Sequence, residues 1–434
     1  MDKSAEHNQM DQHAANDQTL EYAFDSVPLE ARKSGKIIFL ILAGYTISLY
    51  NFVTGATVGF KMPFKGAVLA CALGNFILVI VATVMGIIAQ KTGKTTAVLA
   101  RQPLGKRSSS IFSILIAISA VNSVAVNADT FATLIKSTFN AWPIPIAITS
   151  VIVVALWVQS AIRGASGLEF VSKLGVPCAI VLVVVCAVAI GKRAGYETVF
   201  SYIPETSITF ASGSASFVGA WIFGCIVTPD VTRYAKKPKH VAVGAPIAVI
   251  LGLFGLELIG IMTAQATSQA GFVEATAALG LGVLVFICSV FCVWTTQDNN
   301  IYSAGLALQN VLAGTRMEGK VKHAVMASLI AVMAAAFAST GATRFLLPVT
   351  QTQSLVLPPI AGLIIAEYFF VKKSKEDKVI NWVAMLAWAI SILVGYISLR
   401  RNFLIPPMVG MGTAFIGYII LSKALDHVLN KEVI

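Results

Sequence analysis

The sequence predicts an all-α polytopic membrane protein, and three observations predict it. The 434 residues are 56% hydrophobic and only 12% charged, where a soluble domain carries roughly 25% charged residues. The apolar residues gather into blocks long enough to cross a bilayer, which takes about 20 residues of helix. Those blocks follow one another almost without a gap from Lys36 to Ala424. Backbone polar groups in hydrocarbon must be satisfied within the segment, so each block reads as a helix. The runs are too long and too unalternating for barrel strands.

Window reading places about twelve spans, near 36–59, 65–90, 109–138, 144–161, 168–191, 213–234, 241–267, 276–312, 322–342, 352–371, 379–399 and 404–424. Basic residues follow the even-numbered spans. Lys91, Lys94, Arg101, Lys106 and Arg107 follow the second; Arg233, Lys236, Lys237 and Lys239 follow the sixth. Arg316, Lys320 and Lys322 follow the eighth, and Lys372, Lys373, Lys375 and Lys378 the tenth. Arg32, Lys33 and Lys36 precede the first. One orientation satisfies all of these: both termini in the cytoplasm of a cell whose inner, or plasma, membrane holds the protein. Lys192, Arg193, Arg400 and Arg401 fall on the other side. The net charge of +11 therefore belongs to loops, and no nucleic-acid partner is expected. Residues 1–30 are polar and acidic, without the apolar core of a signal peptide. They read as a disordered cytoplasmic tail, and 425–434 as a second tail.

Catalytic chemistry finds no foothold. The six cysteines, Cys71, Cys178, Cys186, Cys225, Cys288 and Cys292, all lie in apolar blocks without a CxxC or Cys/His pairing. The histidines, His7, His13, His240, His323 and His427, sit at tails or block ends. No nucleophile with a base and no metal cluster emerges, so the protein is not expected to be an enzyme.

Two spans look broken. The first contains Gly44–Thr54, with Ser48, Asn51 and Thr54 at its middle; the sixth contains Gly219, Gly224 and Thr228-Pro229-Asp230. Proline removes a helix hydrogen bond and glycine tolerates unusual dihedrals. Discontinuous helices in corresponding places of two repeats mark transporter sites, and spans one and six are five apart. Glycine and proline also serve plain packing in membrane helices. The densest polar insertion is Thr295–Asn300, after Trp294, inside the eighth span. Polar groups at membrane depth are expensive and face a cavity or another helix. Two adjacent threonine hydroxyls suit a hard monovalent cation, and Gln and Asn offer donor and acceptor to a planar amide-like solute. A loop between two short helices is the other reading of this stretch. Asp129 in the third span, Glu257 and Glu367 read as structural or packing groups. Trp221, beside the sixth-span break, is placed to stack on a flat ring.

At these residues the sequence resembles the nucleobase:cation symporter-1 family, in its bacterial cytosine-permease branch. The carrying motifs are Lys91-Thr-Gly-Lys-Thr-Thr with Leu99-Ala-Arg101, Thr228-Pro-Asp-Val-Thr-Arg-Tyr234 and Trp294-Thr-Thr-Gln-Asp-Asn with Tyr302-Ser-Ala-Gly305. Leu357–Tyr368 and Asn381-Trp382 complete the set. The resemblance implies a leucine-transporter-type fold in a single domain over 31–424. Inverted five-helix repeats would fall at about 36–191 and 213–371, with two extra helices at about 379–424. It implies sodium-coupled symport of a small heterocyclic solute by alternating access, in a protein that works as a monomer.

Carried over by position, the sodium ligands are the carbonyls of Gly44, Ile47 and Cys292 and the hydroxyls of Thr295 and Thr296. The solute contacts are Trp221 and Gln297, with Ser48, Ser123 and Asn127 nearby. The chain departs from the family at Ser123, where an aromatic partner to Trp221 belongs, at Cys292 in place of Asn, and at Ser48 in place of an aromatic residue. Cytosine is thus one of several expected solutes, with purines, hydantoins, allantoin and vitamin-precursor pyrimidines. Proton-coupled or uncoupled carriage, or a solute sensor on the same scaffold, are the alternatives.

Overall fold

The structure is a computed structural model, and it describes residues 20–139, 141–342, 352–372 and 378–431. The chain is helical almost throughout. We label the principal helices α1 Gly35–Thr46, α2 Leu49–Phe60, α3 Phe64–Thr92, α4 Thr96–Leu104, α5 Lys106–Thr138, α6 Ile146–Ala161, α7 Ala165–Arg193 and α8 Phe210–Thr232. They continue with α9 Pro238–Thr267, α10 Gly282–Val311, α11 His323–Ala338, α12 Thr352–Val371, α13 Trp382–Arg401 and α14 Pro406–Lys431. Among the described residues nine are long and apolar enough to cross a membrane, and α1 with α2 makes a tenth, bent by 50°. The shorter apolar helices α6 and α11 lie where the remaining spans were expected.

Three elements differ from the sequence reading. The eighth span begins later than expected: Phe272–Ala278 is a separate short helix, and Gly280 turns the chain at φ +63° before α10 starts. The last helix runs on to Lys431, through residues expected to be tail. Residues 20–30 were expected to be disordered; they pack instead, with Leu20, Ala23 and Val27 all buried. Residues 1–19 lie outside the described part.

Residues 20–34 seal one end of the bundle, the end that carries the basic loops after α3 and α8. The Val27 amide donates to the Gly93 carbonyl (3.0 Å), and Arg32 Nη1 to the Gln90 carbonyl (2.8 Å). The Lys33 amide donates to the Tyr234 carbonyl (2.6 Å). Arg233, wholly buried, holds the carbonyls of Tyr22 (2.9 Å) and Glu21 (2.7 Å). The hydroxyls of Tyr234 and Tyr302 donate to Glu21 Oε2 at 2.8 and 3.2 Å. Asp230 accepts the Thr96 amide at 2.8 Å, capping α4. The Thr228–Tyr234 motif thus ties α8 to α4, α10 and the N-terminal segment.

At the centre, α2 and α9 pack backbone to backbone. A Cβ on Gly55 would stand 2.1 Å from the Glu257 carbonyl oxygen, one on Gly59 2.6 Å from the Ile261 Cα, and one on Gly260 2.2 Å from the Phe52 carbonyl oxygen. Lipid offers no hydrophobic force between helices, so close approach at small residues supplies the packing. Glu257, fully buried, is a structural group here: its Oε2 accepts from Asn75 Nδ2 (2.5 Å) and Cys71 Sγ (3.2 Å). A π-helical stretch, Val249–Phe254, frees the Ala248 carbonyl to accept from Thr46 Oγ1 at 3.0 Å, where α1 ends.

Gly55→Ala is expected to destabilise the purified protein. Alanine normally gains about 1 kcal/mol over glycine within a helix, but overpacking against backbone costs typically 1–3 kcal/mol, so the melting temperature falls. A melting temperature that rises by thermal unfolding would show that α2 and α9 are not packed this closely.

Candidate functional site

The break between α1 and α2 organises the site. Ile47 is extended at φ −87°, ψ 100°, and Ser48 at φ −134°, ψ 141°. Ser48 caps α2, accepting the Tyr50 amide at 3.2 Å. Asn51 Nδ2 donates to the freed Thr46 carbonyl at 2.8 Å. The freed Ile47 carbonyl meets the Thr296 hydroxyl of α10. The first span is thus broken where the sequence placed it.

The sixth span is interrupted only at Thr228, before Pro229, and without the bend seen in the first. Phe210–Thr232 is a single 23-residue span, and Thr228 is helical at φ −48°, ψ −36° before Pro229. Its glycines make room instead of a kink. A Cβ on Gly224 would strike the Trp221 ring at 2.3 Å, and Gly219 faces open space. Likewise α10 runs unbroken through Thr295–Asn300, so the loop reading of that stretch is excluded.

The five residues expected around sodium converge. Thr296 Oγ1 also donates to the Cys292 carbonyl (3.3 Å). Thr295 Oγ1 lies 2.9 Å from Ser172 Oγ of α7. A Cβ on Gly44 would sit 2.4 Å from both of those hydroxyl oxygens. Carbonyls and hydroxyls at an unwound helix are the donor set that transporters use for sodium, so the residues present fit an oxygen-seeking monovalent ion. Ser172 joins this cluster, and sequence reasoning did not find it.

Beside the cluster lies a cavity of about 70 Å³. Its walls include Ser48, Ser123, Asn127 and Trp221, with Tyr45, Asn51, Asn122, Thr296, Asn300 and Gln353. Among the described residues no lining residue is charged. Trp221 Nε1 donates to the Tyr45 carbonyl (3.3 Å), and the two rings meet edge to face with centroids 5.4 Å apart. Asn51 Oδ1 and Asn122 Oδ1 are buried without a hydrogen-bond partner, ready to accept from a solute N–H.

Gln297, expected among the solute contacts, stands one layer back, with its Nε2 buried and without a partner among the described residues. It does not line the cavity. It lies behind Asn300, whose Nδ2 donates to Gln297 Oε1 (3.0 Å) and to Ser123 Oγ (3.1 Å), while Tyr45 OH donates to Asn300 Oδ1 (3.1 Å). The helical period explains the miss: Asn300 is one full turn from Thr296 and shares its face, whereas Gln297 is rotated by about 100°. That signal was present in the sequence. Asp129 is buried on α5 and is not among the residues that line the cavity. A second cavity of about 350 Å³ adjoins the first, sharing Tyr50 and Gly219, at the end opposite the N-terminal seal.

A family model described as "Permease for cytosine/purines, uracil, thiamine, allantoin" matches residues 26–421. The chain belongs to this permease family. The resemblance read from its motifs therefore holds, and this permease is a multi-pass membrane transporter of a small molecule, not an enzyme. It is 27% identical over 414 residues to the cytosine permease of Escherichia coli (strain K12), covering 92% of this chain and 94% of that protein. Among solved structures it is similar to Mhp1, a nucleobase-cation-symport-1 family transporter, in a closed conformation with bromovinylhydantoin bound. That match has a TM-score of 0.80 and 18% identity, over 93% of this chain and 95% of the other. A Na⁺-coupled sialic acid symporter in a substrate-bound outward-open state aligns with a TM-score of 0.69 and 14% identity, over 94% and 92%. The permease has the leucine-transporter-type fold, as expected.

Asn300→Ala is expected to weaken solute binding about tenfold or more, since unpairing buried polar partners costs about 1–3 kcal/mol. Gln297→Ala is expected to cost less. Titration of both purified variants measures this; the reverse order would return Gln297 to the solute.

Proposed function

We propose that this permease imports an uncharged, planar nucleobase-like heterocycle by sodium-coupled symport. The observation that carries the reading is that Thr296 belongs to two places at once. It borders the uncharged cavity and bonds the carbonyl at the α1–α2 break. A cation held by Gly44, Ile47, Cys292, Thr295 and Thr296 would tie α1 to α10 and thereby shape the wall a solute meets. The cation supplies positive charge to an otherwise neutral oxygen cluster. The protein's own residues do the rest. Trp221 offers a ring face, Asn300 and Asn122 offer amide groups, and Ser48, Ser123 and Asn127 complete the polar wall.

The solute class follows from the walls. Among the described residues no charged side chain lines the cavity to compensate an ion, and amide groups with one aromatic face suit a small lactam or ureide ring. The E. coli relative is named for cytosine and the Mhp1 structure holds a hydantoin, and both ring types are uncharged amides. With Ser123 in place of a second stacking ring, cytosine itself, a purine, a hydantoin, allantoin or a vitamin-precursor pyrimidine all remain within the class. One changed hydrogen-bond partner can shift such preferences by orders of magnitude.

Access comes from the end opposite the seal, through the larger cavity beside Tyr50 and Gly219. By the charge of the loops that end faces outward, and both termini face the cytoplasm across the inner membrane. The repeats run over about 36–191 and 213–371, with 379–424 outside them, and one chain suffices for transport. Passage inward requires residues 20–34 to release Arg233 and Tyr234.

Uptake of radiolabelled cytosine and of a hydantoin into proteoliposomes, with and without an inward sodium gradient, tests the coupling. The gradient is expected to raise initial uptake severalfold, and Thr296→Ala to remove that stimulation at limiting sodium. Uptake indifferent to sodium but driven by a pH gradient would replace the reading with proton coupling. Trp221→Ala is expected to weaken solute binding about tenfold, and Trp221→Phe less, because aromatic contacts contribute about 0.5–1.5 kcal/mol beyond burial.

A further inference from the structure

α10 carries two polar faces. Thr296 and Asn300 line the cavity. Thr295, Asp298 and Asn299 have the i, i+3, i+4 spacing of a different face, and this face turns to α6 and α7. Thr295 Oγ1 meets Ser172 of α7. The Ser160 hydroxyl, at the end of α6, stands beside the Asp298 carboxyl, donates to the Trp157 carbonyl at 3.1 Å and accepts from Trp294 Nε1 at 2.9 Å. Thr295 and Asp298 have no exposed surface, and Asn299 has 1%.

Among the described residues this face shows no positive partner. Asn299 Nδ2 serves both the Thr295 carbonyl (2.7 Å) and Asp298 Oδ1 (3.2 Å). Asp298 Oδ2 and Asn299 Oδ1 are then left buried with no partner. The ion pairs recorded among the described residues involve Glu169 and Glu318, not Asp298. A carboxylate within the span, without a counter-ion, is expensive, and such residues mark functional positions. Two buried acceptor oxygens left unpartnered on adjacent residues of a native fold are met by an ordered water or an ion, and of these an ion also offsets the carboxylate's charge. Asn299 has already spent its donors, so no rearrangement of its amide supplies both.

We propose that Asp298 and Asn299, with the Ser160 hydroxyl, form a second site for a small monovalent cation, about one helical turn from the Thr295–Thr296 pair. The single carboxylate balances a single charge. A divalent ion would leave uncompensated charge in a low-dielectric interior, and no group of three His, Cys, Asp or Glu residues able to hold a metal occurs among the described residues. Thr295 connects the two sets. Its hydroxyl belongs to the first, and its carbonyl is held by the same Asn299 amide that holds Asp298. Filling one site therefore orders a residue of the other, which makes the two ions bind cooperatively.

The site deepens the sodium reading and rests on it for the identity of the ion. Equilibrium binding of radiolabelled sodium to the purified full-length protein decides it. The wild type is expected to hold two sodium ions per chain, and Asp298→Asn and Thr296→Ala one each. Ser160→Ala keeps the carboxylate and removes a ligand, so it is expected to weaken the second binding class about tenfold. It also decides the matter if Asp298→Asn does not elute as a folded, monodisperse species. One sodium per wild-type chain, lost in Thr296→Ala and untouched by Ser160→Ala, overturns the second site and leaves the first. Two sodium ions retained in folded Asp298→Asn overturn it as well. No sodium bound by the wild type overturns both readings.

Discussion

The structure depends on satisfying the backbone where α1 gives way to α2. A broken helix inside a bilayer exposes carbonyls and amides that lipid cannot solvate, each worth several kcal/mol if left alone. Every neighbour of the break answers this demand. Asn51 takes the Thr46 carbonyl, Ser48 takes the Tyr50 amide, and Thr296 takes the Ile47 carbonyl. Thr46 in turn donates to the carbonyl that the π-helical stretch of α9 frees. The polar run in α10 is therefore where it is because of α1. Without the break, Thr295–Asn300 would be a liability in hydrocarbon; with it, they complete one polar interior.

Helix packing follows from the same constraint. The interior polar groups meet only if the backbones come close, and glycine supplies that closeness at Gly44, Gly55, Gly59 and Gly260. Gly224 has a different task. It clears the space that lets the Trp221 ring lie against α8 itself and project its edge to Tyr45. The sixth span can remain unbent because this ring, and no freed backbone group, is what it contributes to the cavity.

Much of this was legible in the sequence, for reasons that can be named. The spans were legible because bilayer thickness imposes a length on apolar blocks. The first break was legible because Gly44, Ser48 and Asn51 are costly in an unbroken membrane helix. The sixth span deceived because glycine signals both bending and clearance, and only the position of the Trp221 ring separates them. Positional carry-over ignores rotation, so it names Gln297, whereas the residue that lines the cavity is Asn300, one turn from Thr296. Ser172 and Ser160 were illegible: a lone serine in an apolar helix gains meaning only from the helix across from it. The order in residues 20–34 was hidden as well. It depends on Arg233, more than two hundred residues away, and not on any local propensity.

That distant dependence bears on transport. Arg233 is wholly buried, and its guanidinium bonds span the N-terminal segment, α8 and α10. A cluster of this kind does not loosen by degrees, because removing one partner leaves a buried charge uncompensated, at a cost of about 3–5 kcal/mol. It is held or released as a unit. Such a cluster gives the sealed end the makings of a two-state element. Ligands bound near Thr296 can open it only by binding the released state better than the sealed one. α10 gives them the means. The helix that carries Thr295 and Thr296 carries Tyr302 two turns further on, hydrogen-bonded to both Arg233 and Glu21. A shift of α10 that moves Thr295 and Thr296 must also move Tyr302, so the seal and the polar face at the break cannot change independently.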